Sequence, residues 1–254
     1  MNMLAIVPVM NLWESYTLPM LRSLASPRPL ALLVIDNGSD GSADRVCEVA
    51  DRFAAVSVIR NRGNRGVAGS WNQGVRWGAA NGYDHFLIMN NDLVVHPRAI
   101  ENLTRVFERD DVYLASMYDV GDDLGAPEDL PHFRLTPPTA APAPNFSAFL
   151  IGTKTLAAMT ASGDPLGGLF DEGFFPAYFE DNDYYYRLKL YLGESSAIAS
   201  TDALCYHYCG RTQYQSPDAP IVPPDRYEEN CVYYMKKWGG KPGQERFRSP
   251  FGQS

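Results

Sequence analysis

Three carboxylates within four residues are the first feature of this 254-residue sequence that could do chemistry. Glu180, Asp181 and Asp183 follow an aromatic run made of Phe174, Phe175, Tyr178 and Phe179. An aromatic wall partly shields a carboxylate from water, which raises its pKa and makes it a better general base. The same pattern also suits an acidic helix start, where Glu180 or Asp181 lies near the N-cap and complements the helix dipole.

A second candidate is the run Asn90, Asn91 and Asp92, which directly follows the apolar segment 85–89. A carboxylate with neighbouring amides at the end of a strand suits a hard divalent cation that also holds a diphosphate. The alternative is a simple Asx turn, in which the side chains bond to their own backbone.

His207 is the third candidate, and it lies between Cys205 and Cys209 with Cys231 further along the chain. A lone histidine on a strand is typical of a packed or hydrogen-bonded core residue. The nearby cysteines raise a zinc site as an alternative. However, residues 205, 207 and 209 would share one strand face at a uniform pitch, unlike the paired ligands of structural zinc sites, so zinc is disfavoured.

The segment 61–66 contains two glycines and opens directly into a predicted helix. Glycines let backbone amides approach an anion, the helix N-terminus adds favourable partial charge, and Arg60, Arg62 and Arg65 add cations. No Gly-Lys-Ser/Thr follows, which excludes a Walker loop, and the position after the third strand excludes a dinucleotide fingerprint. A solvated basic loop is the alternative.

The elements that must position these residues alternate between strands and helices in the first half. Nearly uninterrupted apolar strands predict a parallel sheet covered on both faces, with strands over 3–7, 30–35, 55–59 and 85–89. The amphipathic segments between them predict helices over 15–24, after an N-cap at Ser42, and over 67–80. Ligands bind outside the carboxyl ends of such strands, which here carry residues 8–9, 36–39, 61–69 and 90–92.

The second half is less regular. Six prolines between Pro127 and Pro144 predict a loop over 119–144. Further patterns predict strands over 146–151 and 203–209 and helices over 154–161, 180–192 and 225–238. The last of these helices ends at Gly239 and Gly240.

Composition excludes several classes of protein. The chain has 22 Lys+Arg against 30 Asp+Glu, a net charge of −8, which argues against a general nucleic-acid binder. No stretch reaches the roughly 18 apolar residues of a membrane-spanning helix, and no secretory signal is recognisable. Together with four cysteines, this predicts a cytoplasmic protein with reduced thiols. A net charge of +4 over 236–248 leaves peripheral membrane contact open.

Taken in order, these motifs resemble the family 2 glycosyltransferases, which are nucleotide-sugar-dependent inverting enzymes of the GT-A fold. The resemblance is closest to the bacterial rhamnosyl- and galactofuranosyl-transferase-like branch. It covers residues 3 to about 238, with the proline-rich segment and the last residues outside it. It rests on five pieces of sequence, at 34–42, 61–74, 90–92, 179–184 and His207.

For the donor, the resemblance implies a nucleotide-diphosphate sugar bound near the strand ends. Asp36 would contact the nucleobase, with help from the backbone of Pro8 and Val9. The loop of Asn64, Arg65 and Gly66 would line the nucleotide pocket.

For the chemistry, the resemblance places Asn90, Asn91 and Asp92 at the family's Asp-x-Asp position. Asp92 would then bind Mn²⁺ or Mg²⁺, with His207 as a later metal ligand. Asp181 matches the catalytic base, and Glu180 is its acidic neighbour. Asn90 departs from the motif, because it stands where the first acid would be, which predicts weaker metal binding.

The expected fold is therefore α/β, a single GT-A (Rossmann-like) domain with a mostly parallel sheet flanked by helices and a C-terminal acceptor-side subregion. Residues 1–118 form the nucleotide-sugar-binding half, 119–145 a proline-rich acidic loop, 146–240 the acceptor and catalytic half, and 241–254 a basic tail.

The expected function is metal-assisted, inverting sugar transfer to a glycan, a lipid-linked glycan or a protein, with nucleic acid an unlikely partner. Two alternatives on the same fold are a nucleotide-sugar-binding protein and a sugar-phosphate nucleotidylyltransferase. The latter would carry a Gly-rich, cationic signature after strand one, where this chain has Pro8 to Asn11.

Overall fold

The computed structural model describes residues 2–39, 42–121, 123–136, 138, 140–210 and 222–253. Three parts of the sequence predictions lie outside this description: residues 40 and 41 of the motif 34–42, the Ser42 side chain proposed as an N-cap, and residues 122, 137 and 139 of the proline-rich segment.

Eight strands in the described residues form one mixed sheet in the order β3-β2-β1-β4-β7-β6-β8-β5. The strands are β1 Met3–Val9, β2 Leu30–Asp36, β3 Ala55–Arg60, β4 His85–Met89, β5 Leu93–Val95, β6 Leu114–Asp119, β7 Ala148–Gly152 and β8 Ala197–His207. Strands β7 and β5 run antiparallel to their neighbours, and the other six run parallel to one another. The predicted mostly parallel α/β sheet is confirmed.

Helices cover both faces of this sheet. They are α1 Leu18–Ser23, α2 Gly66–Ala80, α3 Ala99–Phe107, α4 Thr153–Ala161, α5 Glu180–Leu192 and α6 Pro224–Trp238. Along β1, alternate side chains enter two separate cores: Ala5 and Val7 pack with α1 and α3, whereas Leu4 and Ile6 pack with α2, α4 and α5. Burial on both faces explains why the strands are apolar throughout.

Several predicted elements need correction. The helix over 15–24 is a π-helical turn, Trp13–Thr17, followed by α1, and the helix after Ser42 is a 3-10 helix, Ser42–Arg52. The strand predicted over 203–209 runs instead from Ala197 to His207, and Cys209 beyond it is left-handed with φ 51°. The sequence analysis also missed α3, β5 and β6. Strand β5 has only three residues, and β6 lies between polar turns.

The proline-rich segment is only partly a loop. It contains a 3-10 helix, Pro127–His132, whose Leu130 is fully buried against Val120 and Leu204. At the C-terminal end, α6 stops at the left-handed Gly239, and the chain folds back so that the amides of Arg246 and Phe247 donate to the Trp238 carbonyl. None of the helices in the described part of the chain is long and apolar enough to cross a membrane.

Candidate active site

A cavity of about 340 Å³ opens at the carboxyl ends of β1, β2 and β4. Ten of the twelve residues predicted for the site line it: Pro8, Val9, Asn64, Gly66, Asn90, Asn91, Asp92, Glu180, Asp181 and His207. Asp36 and Arg65 are not among the described lining residues. Ser147, which the sequence analysis did not name, also lines the cavity, as do Asn37, Trp71 and Tyr178, which it included only within longer motifs.

Hydrogen bonds between neighbouring turns shape the β1–β2 edge of the cavity. The Asn37 amide donates to the Val9 carbonyl at 2.9 Å, and the Asn11 amide donates to Ser39 Oγ at 2.9 Å. Asp36 is buried at the end of β2, where its Oδ1 accepts the Ser39 amide at 2.7 Å. The predicted nucleobase contact of Asp36 stays a prediction.

The start of α2 differs from the expected anion cradle. Gly66 has φ +73°, and a Cβ there would lie 2.9 Å from the Pro176 carbonyl oxygen, so only glycine fits. The Gly66 amide donates to Asn64 Oδ1 at 2.8 Å, and the Val67 amide donates to the Pro176 oxygen at 2.8 Å. Both amides are therefore used within the protein, and Arg65 beside them is exposed.

Asp92 and His207 meet across the sheet, since β5 pairs with β8 directly beside them. His207 Nε2 lies 3.1 Å from Asp92 Oδ1, and both side chains are mostly buried. Adjacent ligands of an octahedral cation at about 2.1 Å are about 3.0 Å apart, so this pair fits a hard divalent cation. Asn90 and Asn91 lie at the same edge of the cavity, and the Asn91 side chain donates to Thr17 Oγ1.

The structure brings together a different set of residues from the one considered for the zinc alternative. Cys205 is fully buried in the core, so it does not group with His207 and Cys209. Instead, the ligand atoms of Asp119, His207 and Cys209 all lie within 4.8 Å of one another. Asp119 was missed because it ends β6, a strand that was not predicted. Its signal was the short run 114–118, apolar apart from Ser116 and the Tyr118 hydroxyl, followed directly by an acid.

Glu180 and Asp181 begin α5 and face the cavity. Burial, and then the nearby Asp181 carboxylate, raise the pKa of Glu180 well above its ordinary value. Burial also raises the pKa of Asp181, although the Asn182 amide donates to its Oδ1 at 2.7 Å. Glu180 Oε2 is buried with no hydrogen-bond partner among the described residues. Both carboxyl groups therefore hold a proton more tightly than an exposed carboxyl group does, and the pKa of Glu180 is shifted well above its ordinary value.

Asp183, the third acid of the cluster, has a structural role. Its Oδ2 accepts Arg187 Nε at 2.8 Å, and its Oδ1 accepts Trp238 Nε1 at 2.8 Å and lies 2.6 Å from Lys237 Nζ. Arg187 also donates to Asp164 at 2.8 Å, and all three of these ion-paired side chains, Asp164, Asp183 and Arg187, are fully buried. The network joins α5 to α6 and leaves Asp183 outside the described lining of the cavity.

The turn before α5 has a backbone that side chains rarely adopt. Tyr178 and Phe179 have φ values of 77° and 74°, each of which costs about 1–3 kcal/mol for a residue other than glycine. Asn230 on α6 is buried and donates to the Ala177 carbonyl at 2.8 Å, which fixes this turn. Its sequence signal was a polar residue at helical spacing from Tyr234 and Trp238, on the buried face of α6.

The aromatic wall beside the acids divides into two parts. Phe174 is buried with Tyr234 and Trp238, so it belongs to the core and not to a ligand surface. Phe175 and Tyr178 are 46% and 37% exposed, and the Tyr178 ring lies 5.2 Å from the exposed ring of Tyr227. These three rings form an exposed aromatic rim next to the cavity.

The sheet order and the cavity at its carboxyl ends define an α/β protein of the GT-A fold. The sequence matches the family described as Glycosyl transferase family 2 over residues 4–156. Because this match covers more than half of the chain, the protein belongs to glycosyl transferase family 2.

Individual relatives agree with this family. The chain is 31% identical over 118 residues to an undecaprenyl-phosphate mannosyltransferase of Micrococcus luteus, which covers 46% of this chain and 48% of that protein. The chain thus spans about half the length of this curated relative.

Two solved structures share the fold at low sequence identity. The Pyrobaculum calidifontis mannosyltransferase PcManGT, in complex with GDP-Man and Mn²⁺, has a TM-score of 0.56 at 15% identity, covering 92% of this chain and 61% of that one. S. aureus TarS 1-349, in complex with UDP-GlcNAc, has a TM-score of 0.60 at 16% identity, covering 92% and 67%.

Proposed function

We propose that this protein transfers a sugar from a nucleotide-diphosphate sugar to an acceptor hydroxyl with inversion at the anomeric carbon, with Asp181 as the general base. The observation that carries the proposal is that one cavity brings Asp181 together with Asp92 and His207. Asp181 is a proton acceptor with a raised pKa. Asp92 Oδ1 and His207 Nε2 lie 3.1 Å apart and are suited to a divalent cation.

In this reaction Asp92 and His207 would hold Mn²⁺ or Mg²⁺. The bound cation supplies positive charge that offsets the negative charge growing on the diphosphate leaving group. The Mn²⁺ in the PcManGT complex supports this choice of metal. Asn90, Asn91, Pro8, Val9, Asn64 and Gly66 line the same cavity and would surround the nucleotide.

Asp181 would accept the proton of the acceptor hydroxyl while the hydroxyl oxygen attacks the anomeric carbon. The bond to the diphosphate breaks on the opposite face of the sugar, so one displacement inverts the configuration. The burial that raises the pKa of Asp181 makes it a stronger base than an exposed carboxylate. Glu180 beside it would stay protonated, which avoids a second charge at the start of α5.

The acceptor would bind over the aromatic rim of Phe175, Tyr178 and Tyr227. The name of the Micrococcus luteus relative supports a lipid-linked acceptor over a free glycan or a protein. The rhamnosyl- or galactofuranosyl-transferase-like branch, the division into donor and acceptor halves, and a cytoplasmic location remain predictions from the sequence.

The test is a two-stage assay on the full chain. First, thermal unfolding is followed with a panel of nucleotide sugars plus Mn²⁺, because a ligand that binds the folded state raises the melting temperature by mass action. The best donor is then assayed for transfer to lipid-linked and free glycan acceptors, with and without EDTA. We expect a donor-specific stabilisation and a transfer rate that EDTA abolishes reversibly.

Asp92→Asn tests the proposed metal ligand, and Asp202→Asn, at an exposed position of β8, is its matched control. Full transfer in EDTA, or in Asp92→Asn, would contradict the metal-assisted mechanism. A donor that stabilises the protein without transfer to any acceptor and without hydrolysis would favour the nucleotide-sugar-binding alternative.

A further inference from the structure

A second group of possible metal ligands lies on the far side of His207 from Asp92. We propose that Asp119, His207 Nδ1 and Cys209 bind a thiophilic divalent cation such as Zn²⁺, and that this binding withdraws His207 from the donor-metal pair. The first half of the proposal stands on geometry alone, whereas the second half rests on the proposed function of Asp92 and His207.

The separations suit zinc. His207 Nδ1 lies 3.5 Å from Cys209 Sγ. With Zn–S near 2.3 Å, Zn–N near 2.05 Å and tetrahedral angles, a zinc ion holds these two atoms about 3.6 Å apart. A carboxylate oxygen of Asp119 completes a group in which no two ligand atoms are more than 4.8 Å apart. A zinc ion that binds all three would bring the most distant pair of ligand atoms from at most 4.8 Å to about 3.6 Å.

The fold orients this group before any cation binds. Asp119 and Cys205 are register partners at the ends of the parallel strands β6 and β8, which places Asp119 beside the residues after Cys205. Asp119 Oδ1 accepts the amides of Gly121 at 3.0 Å and His207 at 3.1 Å, so the carboxylate is aimed by two backbone donors. Cys209 is left-handed, with φ 51°, two residues beyond the last residue of β8.

The ligand types select the cation. A thiolate with an imidazole favours soft or borderline ions such as Zn²⁺, whereas carboxylate and amide oxygens favour Mg²⁺ and Mn²⁺. The two sides of His207 therefore differ in chemistry: Asp92 and the asparagines offer oxygen, and Cys209 offers sulfur. The His207 imidazole therefore belongs to both sites: its Nε2 faces the oxygen ligand Asp92, and its Nδ1 faces the sulfur ligand Cys209.

This shared imidazole couples the two sites. A neutral imidazole has one nitrogen with a free lone pair and one that carries hydrogen. When Nδ1 binds a cation, Nε2 keeps its hydrogen and donates it to Asp92 Oδ1, 3.1 Å away. In that tautomer Nε2 has no lone pair for the donor metal, so zinc at the second group should weaken Mn²⁺ binding at the first.

The site itself is tested with Co²⁺ on the full chain, because a cobalt–thiolate bond gives a charge-transfer absorption band that oxygen and nitrogen ligands do not. We expect the band in the native protein, its displacement by Zn²⁺, and its loss in Cys209→Ser. Cys47→Ser is the matched control, since Cys47 is also exposed but lies on the 3-10 helix Ser42–Arg52. Asp119→Asn, which keeps an oxygen to accept both amides, should weaken cobalt binding at least ~10-fold.

This readout needs no enzymatic activity, so it stays valid if the proposed function fails. A band of equal strength in Cys209→Ser, or its loss in Cys47→Ser, would overturn the site.

The coupling is tested by zinc inhibition of Mn²⁺-dependent transfer. Zinc also competes for Asp92 in every variant, so the comparison between variants is the measurement. We expect Cys209→Ser to keep the native rate without zinc and to need at least ~10-fold more zinc for half-inhibition, whereas Cys47→Ser behaves as the native chain. Cobalt binding at Cys209 together with identical zinc inhibition in both serine variants would overturn the coupling.

Discussion

The two sides of the cavity are held by different kinds of contact. On the donor side, made of β1, β2, β4 and α2, hydrogen bonds join turns that follow adjacent parallel strands, such as Asn11 to Ser39. On the base side, made of α5, α6 and the turn 176–179, fully buried ion pairs and a buried amide join segments distant in sequence. Parallel strands bring their ends together through topology alone, whereas the position of α5 depends on side-chain contacts with α6 and Asp164.

This difference predicts that damage to the contacts of the base side costs more stability than damage to the contacts of the donor side. The following variants test that comparison in order of expected effect.

Arg187→Met should have the largest effect on folding. It leaves Asp164 and Asp183 buried without their cation, and breaking a buried pair in this way costs about 3–5 kcal/mol. The free energy of unfolding from urea titration is the measurement. Arg105→Met is the matched control, because its i,i+4 pair with Glu101 is exposed and worth about 0.3–0.5 kcal/mol. A similar loss in both variants would show that the buried network is not what holds α5.

Asp181→Asn should have the largest effect on catalysis. It removes the proton acceptor and keeps the shape, so we expect kcat to fall at least ~10²-fold with donor affinity and fold unchanged. The measurement is kcat at saturating donor and acceptor beside a nucleotide-binding titration, with Asp202→Asn as control. Near-native kcat in Asp181→Asn, with a large loss in Glu180→Gln, would assign the base to Glu180.

Asn230→Ala tests the turn that begins α5. Loss of the partly buried bond to the Ala177 carbonyl costs about 0.5–1.5 kcal/mol and frees the strained backbone at Tyr178. As a positioning residue, Asn230 should affect kcat more than the donor KM. Asn102→Ala removes a similar side-chain bond to the Asp202 carbonyl far from the turn, and it should leave kcat unchanged. A loss of stability without any change in kcat would argue against a positioning role.

Glu180→Gln tests the raised pKa of Glu180 through the pH dependence of stability. Burial raises this pKa in the folded state, so the folded protein holds a proton that the unfolded chain has released. Stability from this group is therefore present below the unfolded pKa and is lost as the pH rises through the folded pKa. Glutamine carries no such proton.

We accordingly expect the melting temperature of Glu180→Gln, relative to the native chain, to rise as the pH increases above the ordinary glutamate pKa of 4.5. Glu194→Gln, at an exposed position, should show no such trend. A difference that shrinks as the pH rises would contradict the raised pKa.

Ser39→Ala should have the smallest effect. It removes one partly buried hydrogen bond, from the Asn11 amide, worth about 0.5–1.5 kcal/mol, while the pairing of β1 with β2 remains. Urea titration and the donor KM are the measurements. A loss as large as that of Arg187→Met would remove the contrast between the two sides.

The boundaries of the regular elements were predictable where hydrophobic periodicity is strong. The predicted segments 85–89 and 180–192 match β4 and α5. The other three strands predicted in the first half begin at the predicted residue and end within two residues of the prediction. Helix α3 was missed although Ile100, Leu103 and Phe107 recur at helical spacing, so its signal was present in the sequence. Strand β5 had no such signal, because three residues cannot show a period.

The candidate site also contains residues that the sequence could predict and residues that it could not. Strand ends could be located from the sequence, and ten predicted residues therefore meet in the cavity. The roles of Asp183, Asp119 and Asn230 could not be found from spacing, because each depends on a partner from a distant segment. Helical spacing alone does not say which of the three acids Glu180, Asp181 and Asp183 face the cavity, and in the structure the first two do.

The sequence by itself determined the α/β class, the family resemblance and the donor-side residues, because hydrophobic periodicity is a local property and parallel strands place their carboxyl ends at one edge of the sheet. Only the tertiary structure decided that Asp183 is buried in an ion network, that Phe174 is core, and that His207 faces Asp92 on one nitrogen and Cys209 on the other. The physical reason is that burial and side-chain partnership arise from packing between distant segments, and no residue spacing encodes which segments will meet.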